Sequence, residues 1–299
     1  LNSFEILNDE PMTFQSSELI VNDDGSIFHL KLRPEDIADD IILVGDPGRV
    51  DLIGSYLDEI ELQKQNREFK TITGLYKGKR VSIVSSGIGT DNIDIVVNEL
   101  DALKNIDLEN KTVKEKTGSL RLIRLGTSGA LQQDIPSGSL VLSGKSVGFD
   151  NLMHFYNIPR TPYCLEIEKI MKEHFGWPQS SPYPYVIDAS SHLKEKMDTD
   201  LFVPGMTISA PGFYGPQGRR LRIPLLDEEL NNKIRNFRFD KLRITNYEME
   251  SSAIYGLAGY LGHEALTICA IIANRTRGDH IADYQSLIKK LVQTVLDKL

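Results

Sequence analysis

Four short stretches of this chain bring chemically capable side chains to the ends of apolar runs. Gly45-Asp46-Pro47-Gly48-Arg49 follows "DIILV", and Arg124-Leu125-Gly126-Thr127-Ser128-Gly129 closes "SLRLIRLGTSGAL". Glycines let a backbone approach a ligand closely, a helix start presents N–H groups to an anion, and arginine adds paired, charge-assisted donors. Arg124 lies in an apolar run where strand alternation turns it inward. A buried arginine needs an anionic partner, either a bound oxyanion or a structural carboxylate. Two arginines at two strand ends favour an oxyanion such as phosphate. In "ITNYEMESSAIYGL", Glu248 and Glu250 flank Met249 just before a small-residue helix. Carboxylates accept hydrogen bonds from sugar hydroxyls, and a thioether offers apolar surface to a sugar or base. Acids also cap helix starts, so one glutamate can do each task. In Phe213-Tyr214-Gly215-Pro216-Gln217-Gly218-Arg219, an aromatic can stack on a flat ring. Gln217 both donates and accepts, while Arg219 only donates. That set suits a heterocycle with carbonyls and one N–H; the plain alternative is an exposed Gly/Pro turn.

These groups need a scaffold that gathers strand ends. The runs "DIILVGDPGRV", "RVSIVSSGIGT", "SLRLIRLGTSGAL", "GSLVLSGKSV", "GMTISAPGF" and "ALTICAIIANR" read as buried strands bounded by glycines. Between them, Ile93, Val96, Val97, Leu100 and Leu103 share one helical face, with Thr90 or Asp91 as the expected cap. Residues 251–261 and the C-terminal "YQSLIKKLVQTVLDKL" repeat the helical period. Alternation of this kind predicts an α/β fold: three layers, α/β/α, around a central mixed, largely parallel sheet. In such sheets ligands sit at the carboxyl ends of strands, where all four stretches fall. Residues 1–26 read as a loosely packed extension, 27–299 as a single catalytic domain, and 108–119 as a surface loop or frayed helix end.

Composition narrows the partners. A net charge of -8 over 299 residues argues against a general nucleic-acid binder, which carries a basic face. It leaves room for a small anion opposed by local arginines. The two cysteines, Cys164 and Cys269, have no metal-ligand spacing, so neither a disulfide framework nor a zinc site is expected. Reduced thiols, no apolar run of roughly 18 residues and no signal-like start lead us to expect a cytoplasmic protein without membrane contact.

Taken together, "FHLKL", "VGDPGRV", "NREF", "SSGIGT", "RLGTSGAL", "GFYGPQGR", "NYEMES" and "IIANRT" follow in an order that resembles the nucleoside phosphorylase family, from about Ile27 to the C-terminus. The resemblance implies a phosphate site of Gly45, Arg49, Arg124 and Thr127, with Arg67 reaching the site of a neighbouring subunit. It implies a ribose site of Thr127, Glu248, Met249 and Glu250, with His29 crossing the interface to the 5′-hydroxyl. Phe213, Gln217, Arg219, Ile272 and Ala273 would hold the base, and Arg275 would support Arg219 and the lid loop. Arg124, Glu250 and Arg219 would carry the catalysis. Purine-specific relatives place an aspartate after the last strand. Asn274-Arg275 stands there in this chain, which favours a pyrimidine.

The reaction implied is reversible phosphorolysis of uridine to uracil and ribose 1-phosphate. The alternatives are a purine nucleoside phosphorylase, a nucleosidase, or a non-catalytic nucleoside-binding protein. Inorganic phosphate is then a co-substrate, and no cofactor or metal is expected. Some relatives bind a monovalent cation at the dimer interface; Glu68 and Ile88 match that site, while Asn92 replaces its usual serine. Donated His29 and Arg67 imply a homo-oligomer, at least a dimer, with a hexamer as the larger alternative. Arg124→Ala is expected to remove activity and leave the fold intact.

Overall fold

The structure, a computed structural model, describes residues 12–179 and 181–299. In chain order the first elements are β1 (Asp40–Val44), α1 (Pro47–Gly54), β2 (Glu59–Asn66), β3 (Phe69–Tyr76), β4 (Lys79–Ser85) and α2 (Thr90–Asn105). Then come the short β5 (Ile106–Asp107) and β6 (Thr112–Val113), the long β7 (Arg121–Ala130), β8 (Leu140–Gly148), α3 (Pro162–Phe175), β9 (Tyr185–Asp188), α4 (Ser191–Met197) and β10 (Phe202–Ser209). The chain ends with α5 (Leu230–Asn236), β11 (Ile244–Glu248), α6 (Ser251–Tyr260), β12 (Glu264–Asn274), β13 (Asp279–His280) and α7 (Gln285–Leu296).

One mixed sheet runs in the order β13-β12-β8-β10-β11-β7-β1-β4-β3-β2, with β9 added beside β8. β12 also pairs with β7, so β7, β12, β8, β10 and β11 close into a ring. The strands that lead into the candidate stretches mostly run parallel: β1 to β4 and β7, β10 to β8 and β11, and β12 to β7. β7 is the junction. Its first half, Arg121–Arg124, pairs with Asp40–Leu43 of β1, whereas Gly129 and Ala130 pair antiparallel with Tyr247 and Asn246 of β11. On that side residues 125–128 have no strand partner, which leaves a notch.

Strand alternation builds the layers. Ile41 and Leu43 of β1 join a core with α2 and α6, while Ile42 and Val44 join a second core with α1, α4 and α7. Helices α3 and α5 cover β10 and β11 through Phe175, Ile234, Met206 and Ile244. The three-layer α/β/α arrangement expected from the sequence is the one observed. Among the described residues no helix is long and apolar enough to cross a membrane.

Three local expectations are corrected. The cap of α2 is Gly89 (φ 99°), not Thr90 or Asp91, and its N–H is taken by a distant carboxylate, Glu250. Residues 108–119 are not merely a surface loop: β6 folds back on β5 as a small hairpin. That hairpin receives the chain's N-terminal arm, through Phe14 N–H to Lys111 O (2.9 Å) and Val113 N–H to Met12 O (3.1 Å). Leu19 is buried, and Phe14 and Val21 pack on the same core as α2. Residues 12–26 are therefore docked rather than loose; residues 1–11 of the expected extension lie outside the described residues.

Candidate active site

The notch in β7 opens into a cavity of about 780 Å³. Its walls are strand ends: Gly45 after β1, Gly87 and Ile88 after β4, Arg124, Thr127, Ser128 and Gly129 of β7, Glu248 at the end of β11 with Met249 and Glu250 after it, and Ile272 and Ala273 of β12. Phe213, Gln217 and Arg219, after β10, form one end. A second cavity of about 980 Å³, walled by Trp177, Tyr214 and the 221–226 segment, adjoins at Arg219. It is larger but mostly apolar, and the ionic groups gather in the first.

At the floor, Arg124 is buried between two carboxylates. Its Nη2 bonds Glu250 Oε2, and its Nη1 lies 3.3 Å from Glu248 Oε2. Burial works against the guanidinium's charge, but Glu250 and Glu248 more than offset it, and the group stays firmly protonated. The guanidinium folds back over its own strand. A Cβ on Gly126 would run into Nη1, and Cys269 Sγ lies 3.8 Å from Nη1 on the neighbouring strand. Glycine and a small thiol leave the room a larger pair would take. Nε of Arg124 is a buried donor with no partner among the described residues.

The helix-capping task foreseen for one glutamate falls to both, at different helices. Glu248 is held by the start of α6. It accepts from Glu250 N (2.9 Å), Ser251 N (3.0 Å), Ser251 Oγ (2.7 Å) and Ser209 Oγ (2.5 Å). Glu250 reaches the other way, accepting from Gly89 N at the start of α2 (2.8 Å) and pairing with Arg124. Burial pushes the Glu250 carboxyl above its ordinary range; Arg124 pulls it back, and Glu248 adds to the rise.

Arg49 is half-buried, donates to Leu125 O (3.2 Å) and makes no ion pair among the described residues. Burial first, and the neighbouring Arg124 second, lower its pKa. A positive group thus sits beside a second one without a carboxylate of its own. The α1 start adds no free donors. Pro47 has no N–H, Gly48 N–H goes to Asp46 Oδ1 (2.9 Å), and Arg49 N–H goes to Asp46 O (3.0 Å). That turn contributes the Arg49 side chain, not the helix-start amides expected of it.

At the opposite end Arg219 lies over the Phe213 ring, 3.7 Å from its centroid, and donates to Gln217 Oε1 and Phe213 O (both 2.5 Å). Because Arg219 only donates, it fixes which way the buried Gln217 amide faces. Burial, and then the charge of Arg275, push Arg219 down to about 10. Arg275 lies outside the cavity wall, 5.9 Å from the Tyr247 ring centroid. Asn274 is buried and fully engaged. Its Nδ2 donates to Gln132 O and Ile135 O (2.8 Å each), and its Oδ1 accepts from the N–H groups of Thr276 (2.9 Å) and Arg277 (3.1 Å).

His29 and Arg67 do not line this chain's cavity. His29 Nδ1 is 2.6 Å from Glu99 Oε1, and the backbone N–H groups of His29 and Leu30 donate to the same carboxylate. Arg67 is exposed in the β2–β3 turn, and Asn66 Nδ2 beside it donates to His29 O (2.7 Å). The two therefore sit together at one surface, next to Glu68, Ile88 and Asn92 on the cavity rim. Among the described residues no group of three His, Cys, Asp or Glu could hold a metal ion. Sequence reasoning missed Gly89, Cys269 and Tyr247 at this site, and it read Gly126 as close approach to a ligand where that glycine makes room for Arg124. The motif "SSGIGT" carried the only signal for Gly89.

The sequence profile of the Phosphorylase superfamily matches residues 39–297. The chain belongs to this superfamily. It is 30% identical over 268 residues to a uridine phosphorylase of Thermococcus kodakarensis, covering 89% of this chain and 84% of the relative. It is also 28% identical over 244 residues to a DeoD-type purine nucleoside phosphorylase of Streptococcus suis, covering 81% and 84%. Among solved structures, a Trypanosoma brucei nucleoside phosphorylase, described as showing uridine phosphorylase activity, superposes with a TM-score of 0.86. It is 30% identical, and the match covers 94% of this chain and 99% of that one. The matched span includes every strand that walls the cavity.

The ionic floor adds a stability cost to the expectation for Arg124→Ala. Removing the guanidinium strands two buried carboxylates, a change that costs roughly 3–5 kcal/mol. Urea unfolding at pH 7 should show that loss beside the loss of turnover. The raised Glu250 pKa gives a second expectation. The folded protein binds this proton more readily than the unfolded chain. This group's contribution is therefore present below its unfolded value of 4.5 and is lost as pH rises through about 6. Thermal unfolding of the wild type and Glu250→Gln should show the wild type gaining on the variant as pH falls from 7 to 5. A difference independent of pH would contradict the shift.

Proposed function

We propose that this superfamily member is a pentosyltransferase that catalyses the reversible phosphorolysis of uridine to uracil and ribose 1-phosphate. The observation that carries the reading is the half-buried Arg49, without a carboxylate, beside Arg124. An oxyanion answers both the repulsion and the unpartnered Nε of Arg124. Gly45 and Thr127 complete the phosphate end. Glu250 takes the ribose 2′- and 3′-hydroxyls beside Met249 and Thr127, with Glu248 holding the turn that presents them. Phe213, Ile272 and Ala273 enclose the base, Gln217 and Arg219 take its carbonyls and N3–H, and Arg275 stands behind Arg219. The relatives named as uridine phosphorylases support this choice of base. So does Asn274, which is amide rather than acid and already fully bonded, and so has no proton for a purine ring.

The chemistry follows from this arrangement. As the C1′–N1 bond loosens, the sugar gains oxocarbenium character. Negative charge builds on the departing uracil, where Gln217 and Arg219 donate to it. Phosphate, fixed by Arg49 and Arg124, attacks C1′ from the opposite face with inversion. Each charge-assisted bond contributes about 1.5–3 kcal/mol. Proximity of the fixed nucleophile supplies much of the rest.

Charge balance supports an assembly. Arg49 and Arg124 against Glu248 and Glu250 leave no net charge on the floor, so a phosphate dianion calls for a further cation. Arg67 of a second copy would provide it, and His29 would come with it to the ribose 5′-hydroxyl. We therefore infer a homo-oligomer, at least a dimer, working in the cytoplasm, with both cysteines buried and free. We assign no resident cofactor or metal.

Uracil release from uridine, followed by absorbance with and without phosphate, tests the reaction. Release only with phosphate is expected. Release without it would make the protein a nucleosidase, and cleavage of inosine instead would overturn the base assignment. Gln217→Ala should raise the KM for uridine about tenfold, the scale of a hydrogen bond or two, with little change for phosphate. Equal losses on both substrates would contradict its reading of the base.

A further inference from the structure

The reaction just described uses nothing of the segment from Arg220 to Arg243. That segment nevertheless contains α5, and α5 places Asn231 against the backbone of the base-end loop. Asn231 Nδ2 donates to Gln217 O at 3.2 Å, and its Oδ1 accepts from Tyr247 Oη at 2.9 Å. Tyr247 is a buried residue of β11, paired with Gly129 of β7 and followed directly by Glu248. One amide therefore bridges the loop bearing Gln217 and Arg219 to the strand that leads into Glu248-Met249-Glu250.

The loop is shaped around this contact. Gly218 has φ 67°, and a Cβ there would lie 2.8 Å from Asn231 Cγ. Glycine is thus required twice, for the left-handed backbone and for the close approach. The N–H groups of Gln217 and Arg219 both donate to Tyr214 O, at 3.1 and 2.8 Å, so the turn moves as a unit. α5 is itself fixed: Lys233 Nζ bonds Phe175 O (3.1 Å) and Asp227 Oδ2 (2.7 Å). The bridge consequently runs between two anchored elements, and its one connection to the base is through the Gln217 backbone.

We propose that Asn231 is a positioning residue for base recognition, setting the distance between the base-reading amide and the sugar-holding carboxylate. The proposal rests on the reading of Gln217 and Arg219 as the base end. A side chain held by its backbone on both flanks keeps its donor aligned. A loop released from β11 still folds but spreads its donors over several orientations.

Steady-state kinetics of Asn231→Ala, Gln217→Ala and the double variant, with uridine and phosphate varied separately, test this. Asn231→Ala should raise the KM for uridine about tenfold, while the KM for phosphate stays within about twofold. In the Gln217→Ala background, Asn231→Ala should add little, because the two act through one group. Asn231→Asp, nearly isosteric, keeps an acceptor for Tyr247 but cannot donate to Gln217 O. It should carry the same uridine defect, and it serves as the test if the alanine variant does not fold. An unchanged uridine KM, or defects that multiply in the double variant, would overturn the positioning role. If wild-type protein releases no uracil from uridine, it is the base reading itself that fails.

Discussion

A guanidinium buried between two carboxylates organises this molecule. Isolated charges cost several kcal/mol each to bury, and the floor of the cavity buries Arg124, Glu248 and Glu250 together. It is tolerated because nearly every lone pair and donor is used. Glu248 takes the start of α6, Glu250 takes the start of α2, and Arg124 joins the two carboxylates. Two helix N-termini, each favouring negative charge, thus converge on one arginine. The room for that arginine comes from Gly126 and Cys269.

The sheet explains why the convergence occurs here. A strand with partners along both edges has no space for a ligand. β7 loses β1 after Arg124 and does not meet β11 until Gly129. Across that gap side chains take over from the ladder: Arg49 bonds Leu125 O, and Ser128 Oγ bonds Tyr247 O. The exchange of neighbours is a topological switch point, where open α/β sheets bind ligands. The closed ring of five strands holds both sides of the gap in register.

The site gathers its paired charges at one end and a second cation at the other. The floor, with Arg49 and Arg124 beside Glu248 and Glu250, suits an anion and a polyol side by side, and the Gln217–Arg219 pair at the far end suits a carbonyl-bearing ring. Arg219 is easier to deprotonate than a free arginine because it is partly buried beside Arg275. A group with uncompensated positive charge in a half-dry site gains most when negative charge develops beside it.

Much of this was legible in the sequence. Glycine-bounded apolar runs identified β1, β4, β7, β8, β10 and β12, and the period of 3.6 identified α2, α6 and α7. Their polar ends supplied the cavity residues because strand ends are local features. Less visible was the β2–β3 hairpin, whose outer strand is polar and exposed along an edge and so lacks the apolar signal. What the sequence left open was pairing. It offered Arg124 either an oxyanion or a structural carboxylate; the fold supplies two carboxylates and leaves Nε spare. It assigned the α2 cap to Thr90 or Asp91, next to the helix start, when the acceptor comes from Glu250, far along the chain. It read residues 1–26 as a loosely packed extension and 108–119 as a surface loop or frayed helix end, because neither segment shows that residues 12–14 of the first pair with the second. Composition, period and motif are properties of neighbours in the chain, and these the sequence determined. Which charge meets which, and where a strand changes partners, depends on contacts between distant segments, and only the tertiary structure decided them.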